Sequence, residues 1–254
     1  MTANRFFINS QEINRPYSYL KGSEHHHLYH VLRKRPGEKI FLFDEKSTTY
    51  EATITKVEKD KTTLFILNSQ PPSPQKVIIK LGIGLLKSKS MDLVVQKATE
   101  WGISQIFPLF TQRSVAKINQ QKEAKLLRWQ QIAIEAAKQS GQVHLPQIEK
   151  PCPLSEFLKI DHPPNKCFLS ETGGELLYSV LKKEMIKDKK CPEDEKEGKV
   201  FLMLIGPEGG WTEEEQNYMM KYGFKKVSLG PYILRAETAA ISTMAIVGHF
   251  LIED

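Results

Sequence analysis

Val200-Phe-Leu-Met-Leu-Ile205, followed by Gly206-Pro207-Glu208-Gly209-Gly210 and, further on, by Leu229-Gly230-Pro231-Tyr232-Ile233-Leu234-Arg235-Ala236-Glu237-Thr238-Ala239, decides how this chain is read. The first six residues are an apolar run that stops at glycine and proline, as a strand buried on both faces does. Gly206, Gly209 and Gly210 carry no Cβ, so the backbone there can bend sharply and admit a ligand closely. Thr212 and Glu215 stand at the spacing of a capping box, which predicts a helix immediately afterwards. A second strand-like run, Lys226 to Leu229, ends in another Gly-Pro break, and a second helix is predicted from near Arg235. Two strand ends and two loops are therefore expected at one sheet edge, where open α/β folds bind ligands. Two ordinary strand-to-helix turns would produce the same local pattern.

Outward from that stretch, the rhythm of residues 73–254 is strand alternating with helix. Val77 to Leu85, Ser104 to Phe110 and Lys166 to Leu169 read as strands. Met91 to Gly102 reads as a helix with Met91, Val94, Val95, Ala98 and Trp101 on one face. Gln121 to Ser140 is a long helix closed by Gly141, and Gly174 to Ile186 another. Such alternation predicts a mainly parallel sheet covered on both faces. The tract from Lys187 to Lys199 has almost nothing apolar to bury and is read as a surface loop. The last helix, Ala236 to Ile252, is apolar nearly all round, and a partner subunit is a reasonable source of its burial.

Residues 1–72 have a different texture. Ser23 is positioned to cap a helix from His25 to Arg33, and Pro36-Gly37 then forces a turn. Strands follow at Glu38 to Asp44, Thr48 to Val57 and Thr62 to Asn68, with Tyr50, Ala52 and Ile54 alternating against Glu51, Thr53 and Thr55. The expectation is a small barrel-like β domain, separated from the rest by Gln70-Pro71-Pro72-Ser73-Pro74.

Composition narrows the class. The chain has 254 residues, 40% hydrophobic and 26% charged, which suits one large or two modest globular domains. A net charge of +6 is compatible with a polyanionic partner. Cys152, Cys167 and Cys191 are odd in number with no Cys-x-x-Cys spacing, which argues against a disulfide framework or a zinc site. The polar N-terminus is unlike a secretion signal and no apolar stretch is long enough to span a bilayer, so a cytoplasmic protein is expected. His25, His26, His27 and His30 place only one pair at helical i, i+4 spacing with no carboxylate or cysteine to complete a ligand set, so no metal is expected. Gly82-x-Gly84 lacks the third glycine of a dinucleotide site, and the chain has neither a P-loop nor a nucleophile elbow. Three basic clumps could track a nucleic-acid backbone or simply face water: Arg33-Lys34-Arg35, Lys87 with Lys89, and Arg113 with Lys117. Arg235 differs, because it lies inside the Gly-Pro loop beside Glu237 and Thr238.

These residues resemble one family. Gly206-Pro207-Glu208-Gly209-Gly210, Leu229-Gly230 and Leu234-Arg235-x-Glu237-Thr238-Ala239 are similar to the ribosomal RNA small subunit methyltransferase E family of the SPOUT superfamily. The likeness extends to His25-His26-His27-Leu28, Val31-Leu32-Arg33, Lys87 to Lys97, Arg113-Ser114-Val115 and Gln139-Ser140-Gly141. The chain departs from the family at Gln142, where arginine is common. The resemblance implies a PUA-like RNA-binding domain at 1–72, a trefoil-knotted α/β methyltransferase domain at 73–254, and a homodimer. It implies transfer of a methyl group from S-adenosylmethionine to N3 of a uridine in 16S ribosomal RNA of the small subunit. The implied cofactor pocket is built from three loops, Leu169 to Glu171, Ile205 to Gly210 with Gly206, Pro207, Glu208 and Gly209, and Leu229 to Leu234 with Gly230 and Ile233, with Thr238 beyond them. Arg113, Arg235 and Glu237 are the candidate catalytic residues, and Arg33, Lys34, Arg35, Lys87, Lys89 and Arg113 the candidate RNA contacts. A SPOUT enzyme acting on another base or a ribose 2′-hydroxyl, and a non-catalytic RNA-binding protein of the same fold, remain as alternatives.

Overall fold

A computed structural model describes residues 5–75, 77–114, 122–188 and 199–252. Lys117, Cys191 and most of the tract read as a surface loop lie outside the described residues. The chain divides into two compact units, one holding residues 1–74 with 134–145, the other 75–133 with 146–254.

In the first unit β1 (Arg5–Phe7), β2 (Tyr17–Lys21), α1 (Gly22–His26), β3 (Lys39–Phe43), β4 (Thr49–Val57) and β5 (Lys61–Gln70) follow in order. The strands form one sheet in the order β1-β3-β4-β5-β2, antiparallel except for β1 beside β3. The alternation in β4 does what its sequence predicts: Tyr50, Ala52 and Ile54 are buried, with Phe6, Leu20, Leu28, Leu42 and Leu64 around them. A hairpin joins β3 to β4 around the buried Asp44, whose carboxylate accepts from Lys46 N, Thr48 N and Tyr50 Oη. Burial, then the hydrogen bond to Asp44, pushes the Tyr50 phenol up to about 12.

The helix in this unit corrects an expectation. Gly22, at φ +56, lets the chain turn directly out of β2, so α1 begins there and Ser23 sits inside the first turn instead of capping it. A π-helical turn continues it over His27–Val31. Residues 134–145 join this unit through a half-hidden ion pair, Lys138 Nζ to Glu24 Oε1 at 2.8 Å, and through the Arg5 guanidinium, which donates to Gly141 O.

The second unit runs β6 (Val77–Gly84), α2 (Ser88–Glu100), β7 (Gln105–Phe110), the part of α3 (Lys122–Ser140) before Ile134, β8 (Gln147–Ile148), β9 (Cys152–Pro153), α4 (Leu154–Phe157), β10 (Asn165–Leu169), β11 (Glu175–Leu176), α5 (Leu177–Asp188), β12 (Lys199–Ile205), α6 (Glu213–Lys221), β13 (Lys225–Ser228) and α7 (Ala236–Ile252). Every strand pair is parallel, in the order β11-β13-β10-β12-β6-β7-β8 with β9 also on β7. The apolar run of β12 is central and buried from Phe201 to Ile205, as a strand covered on both faces must be. Gly141 closes α3 at φ +83.

Two details differ from expectation. Trp101 is the residue flanking α2, 38% exposed, and Thr99 takes the buried place beside Met91, Val94, Val95 and Ala98. Gly174 does not open a helix. A Cβ there would lie 3.0 Å from the Val227 backbone, and this close approach lets β11 pair with β13 before α5 begins at Leu177. In α7 the buried positions are Ala236, Ala239, Ala240, Thr243, Met244, Val247 and Gly248, while Ile241, Ala245, Ile246 and Phe250 are only half-buried. None of the described helices is long and apolar enough to cross a membrane.

Candidate active site

Three adjacent parallel strands, β13, β10 and β12, end at the same level. Leu169 pairs with Val227, and Phe168 pairs with Leu204, so Leu169, Ile205 and Ser228 finish side by side. The loops that leave them enclose a cleft with about 570 Å³ of empty space, its open mouth included. Its position at the carboxyl ends of the strands is where an open parallel sheet leaves backbone N–H and C=O groups free for a ligand.

The glycine-rich loop folds by a turn in which Gly210 N donates to Pro207 O at 2.9 Å. Two neighbours fix where it lies. A Cβ on Gly84, at the end of β6, would come within 2.6 Å of Pro207 N, so only glycine lets the loop rest there. Gly210, at φ +66, faces the Glu171 carboxylate, which would stand 2.9 Å from an added Cβ. Trp211 is buried and its indole N–H donates to Leu169 O at 2.9 Å, which ties the second loop to the first. Ser228 holds the third loop, accepting from Gly230 N at 3.1 Å where Gly230 adopts φ +134.

The same loop is pinned to two basic segments. Glu208 Oε1 accepts from Lys87 N at 2.8 Å, the flanking residue of α2, and so places a carboxylate at the positive end of that helix. Arg113 Nη1 donates to Gly209 O at 2.9 Å. Behind it the buried Glu215 accepts from Thr212 N and Gln112 N, each at 2.9 Å. The predicted capping box is thus present, and its carboxylate also anchors the loop that carries Arg113.

Of the residues singled out from sequence, Leu169, Glu171, Ile205, Gly206, Pro207, Glu208, Leu229, Gly230, Ile233 and Leu234 line the cleft. Gly209 turns instead toward Arg113, and Thr238, like Arg113, Arg235 and Glu237, is not among the lining residues. Ser170, Gly210 and Tyr232, inside the loops the resemblance implied, line it as well, while Trp211 and Ser228, which sequence reasoning passed over, also do. Only Trp211 left a signal, a large aromatic directly after Gly210. Among these lining residues are two carboxylates and no Lys, Arg or His. Tyr232 and Ile233 are 83% and 72% exposed, an apolar rim open to whatever occupies the mouth.

The remaining candidates are dispersed. Lys87 and Lys89 are exposed at the start of α2. Arg33, at φ +53, and Arg35 are exposed in the first unit, and Lys34 is paired with Glu38 at 2.6 Å. His25 is occupied by Thr62 and Lys59 O, and the His26 and His30 rings meet at a tilt with centroids 4.8 Å apart. Among the described residues no group of three His, Cys, Asp or Glu is arranged to hold a metal ion.

A parallel sheet with a three-loop cleft at its strand ends is the frame of a ligand-using α/β enzyme, and residues 72–248 match the family described as RNA methyltransferase domain. Residues 20–67 match the RNA methyltransferase PUA domain. Proteins named ribosomal RNA small subunit methyltransferase E from Bacillus subtilis and from Synechocystis are 29% and 30% identical to this chain, over 96% and 98% of it and 96% and 78% of their own lengths. A ribosomal RNA small subunit methyltransferase E from Neisseria gonorrhoeae, solved bound to S-adenosyl methionine, superposes with a TM-score of 0.80 at 29% identity, covering 97% of each chain. The chain belongs to the ribosomal RNA small subunit methyltransferase E family.

Proposed function

We propose that this protein transfers a methyl group from S-adenosylmethionine to N3 of a uridine in 16S ribosomal RNA. One observation carries the reading: the cleft between the three strand-end loops is lined by apolar side chains, backbone and two carboxylates, with no cation. That lining fits the donor. Leu169, Ile205, Leu229, Ile233 and Leu234 suit a flat heterocycle, the free backbone groups of the loops suit its ring nitrogens, and Glu171 and Glu208 suit a cationic ligand. The donor, when bound, supplies an electrophilic methyl group on a sulfonium.

What the chain must add is removal of the uridine imide proton. Each unit by which the imide pKa exceeds ambient pH costs about 1.4 kcal/mol. A cation beside the imidate oxygens lowers that cost. Arg113, held by Gly209 O against the glycine loop, and Arg235, exposed between the lining residues Leu234 and Ala236, are cations that adjoin the cleft loops. One stabilises the imidate and the other holds a phosphate. Glu208, which accepts from Lys87 N before α2, and Glu237, in the first turn of α7, are candidates to accept a proton or to favour those helices through their dipoles. Lys87 and Lys89, with Arg33, Lys34 and Arg35 of the first domain, track the RNA backbone. Residues 1–72 recognise RNA and residues 73–254, knotted around the donor cleft, perform the transfer. The working form is a cytoplasmic homodimer in which the half-buried face of α7 meets its counterpart.

The arginine assignment is tested by Arg113→Ala and Arg235→Ala at saturating small-subunit RNA. Turnover should fall at least tenfold in one or both. Full turnover in both variants overturns the assignment.

A further inference from the structure

We infer that the outer face of the first unit's sheet is a base-stacking platform for an unpaired stretch of RNA, separate from the Arg33–Arg35 clump. The inference rests on the reading that the substrate is RNA. Strand register lays the face out in rows. Tyr17 stands opposite Phe65, Phe65 opposite Thr53, and Thr53 opposite Lys39. In the next row Tyr19 stands opposite Thr63, which pairs with Lys56 across the bulge in β4, and in the row beyond Lys21 stands opposite Lys61. Each of the first two rows therefore begins with an aromatic ring on the edge strand, crosses a hydroxyl and ends at an ammonium.

The rings are open to solvent although they are aromatic. Tyr17 is 48% and Tyr19 38% exposed, while the opposite face of the same strand buries Ser18 and Leu20. Core packing therefore does not account for them. Tyr17 meets Phe65 edge-on with centroids 5.4 Å apart, and Lys61 Nζ sits over one face of the Tyr19 ring, 5.3 Å from its centroid, setting a cation beside a stacking surface. Tyr17 and Tyr19 are two residues apart on one strand, about 6.8 Å. That is about twice the 3.4 Å rise of stacked bases, so an unstacked chain can lay a base on each ring, or on one with a ring inserted between two bases. The charge agrees with a polyanion: the rows contain Lys21, Lys39, Lys56 and Lys61, against Glu51 and Glu58, which pair with three of them. An aromatic face read by stacking, with threonine hydroxyls able to meet base edges, selects single strands, because the bases of a duplex are already stacked.

The test uses the full-length protein and a fluorescently labelled single-stranded ribonucleotide ten residues long, read by anisotropy. Tyr17→Ala with Tyr19→Ala should weaken binding at least tenfold, because both bases lose the ring they stack on. Tyr17→Phe with Tyr19→Phe should retain it, because stacking does not need the hydroxyl. Affinity for duplex RNA should be unchanged in both. Lys21→Ala should flatten the salt dependence by about 0.7 in log–log slope. Single-strand affinity equal to wild type in the alanine variant overturns the platform. So does a loss of ribosomal-subunit methylation with unchanged single-strand affinity, which would make the face a protein-docking surface. Calorimetric titration of the wild type with S-adenosylmethionine is read separately: absent donor binding defeats the methyl-transfer reading and leaves the platform standing.

Discussion

His162 shows how much one half-buried side chain can reveal about the residues it rests against. Its ring packs on Phe157 and Phe224, and Nε2 meets Phe157 O at 2.8 Å. Burial lowers its pKa, the carbonyl opposes the shift, Lys166 and Lys80 add to it, and the negative charge of Asp161 opposes it. The folded state therefore binds fewer protons than the unfolded chain between the depressed pKa and the ordinary value of about 6.5. Stability is fully present above about pH 6.5 and is lost as pH falls through the folded pKa. His144, lowered by burial alone, acts in the same direction. Urea unfolding at pH 7.5 and pH 5 should show a loss in the wild type that shrinks in His162→Gln, which keeps a donor for Phe157 O. Equal losses in both proteins would contradict the assignment. At this scale the sequence disclosed the glycines and prolines that break the strands, because those residues act through their own backbone. It did not disclose Ser228 or Trp211, which lie just outside the implied loops and become part of the cleft only through a fold that brings separate loops together.

Among the elements, β12, α6 and α3 were legible because each carries a complete local signal: an unbroken apolar run, a capping box, a closing glycine. The strands β1 and β2 were not, being three and five residues long, with no flanking alternation to lift them above loop. The return of residues 134–145 to the first unit was equally hidden, because it depends on Lys138 finding Glu24, and no composition shift marks it. The helix α7 presents a further consequence. Its in-chain face is taken by Ala239, Ala240, Thr243, Met244 and Val247, leaving Ile241, Ala245, Ile246 and Phe250 half-covered. Covering such residues gains about 25 cal/mol per Å². Light scattering should therefore give the mass of a dimer for the wild type and a shift toward monomer for Ala245→Glu, which sets a charge in the seam. A monomeric wild type would remove α7 from the interface.

For the whole molecule, sequence supplied the succession of strands and helices, and hence a parallel sheet. It could not supply the lateral order β11-β13-β10-β12-β6-β7-β8, because neighbours in that order are far apart along the chain and are chosen by packing. That order is what puts β13, β10 and β12 side by side and so makes one cleft out of three loops. The central claim is that this cleft presents a methyl donor to a uridine N3 of small-subunit RNA. Its most direct test is to incubate the protein with methyl-labelled S-adenosylmethionine and small ribosomal subunits lacking the modification, then digest the RNA and identify the labelled nucleoside by mass spectrometry. The account predicts label in 3-methyluridine at a single position; label on another base, on a ribose hydroxyl, or nowhere would contradict it.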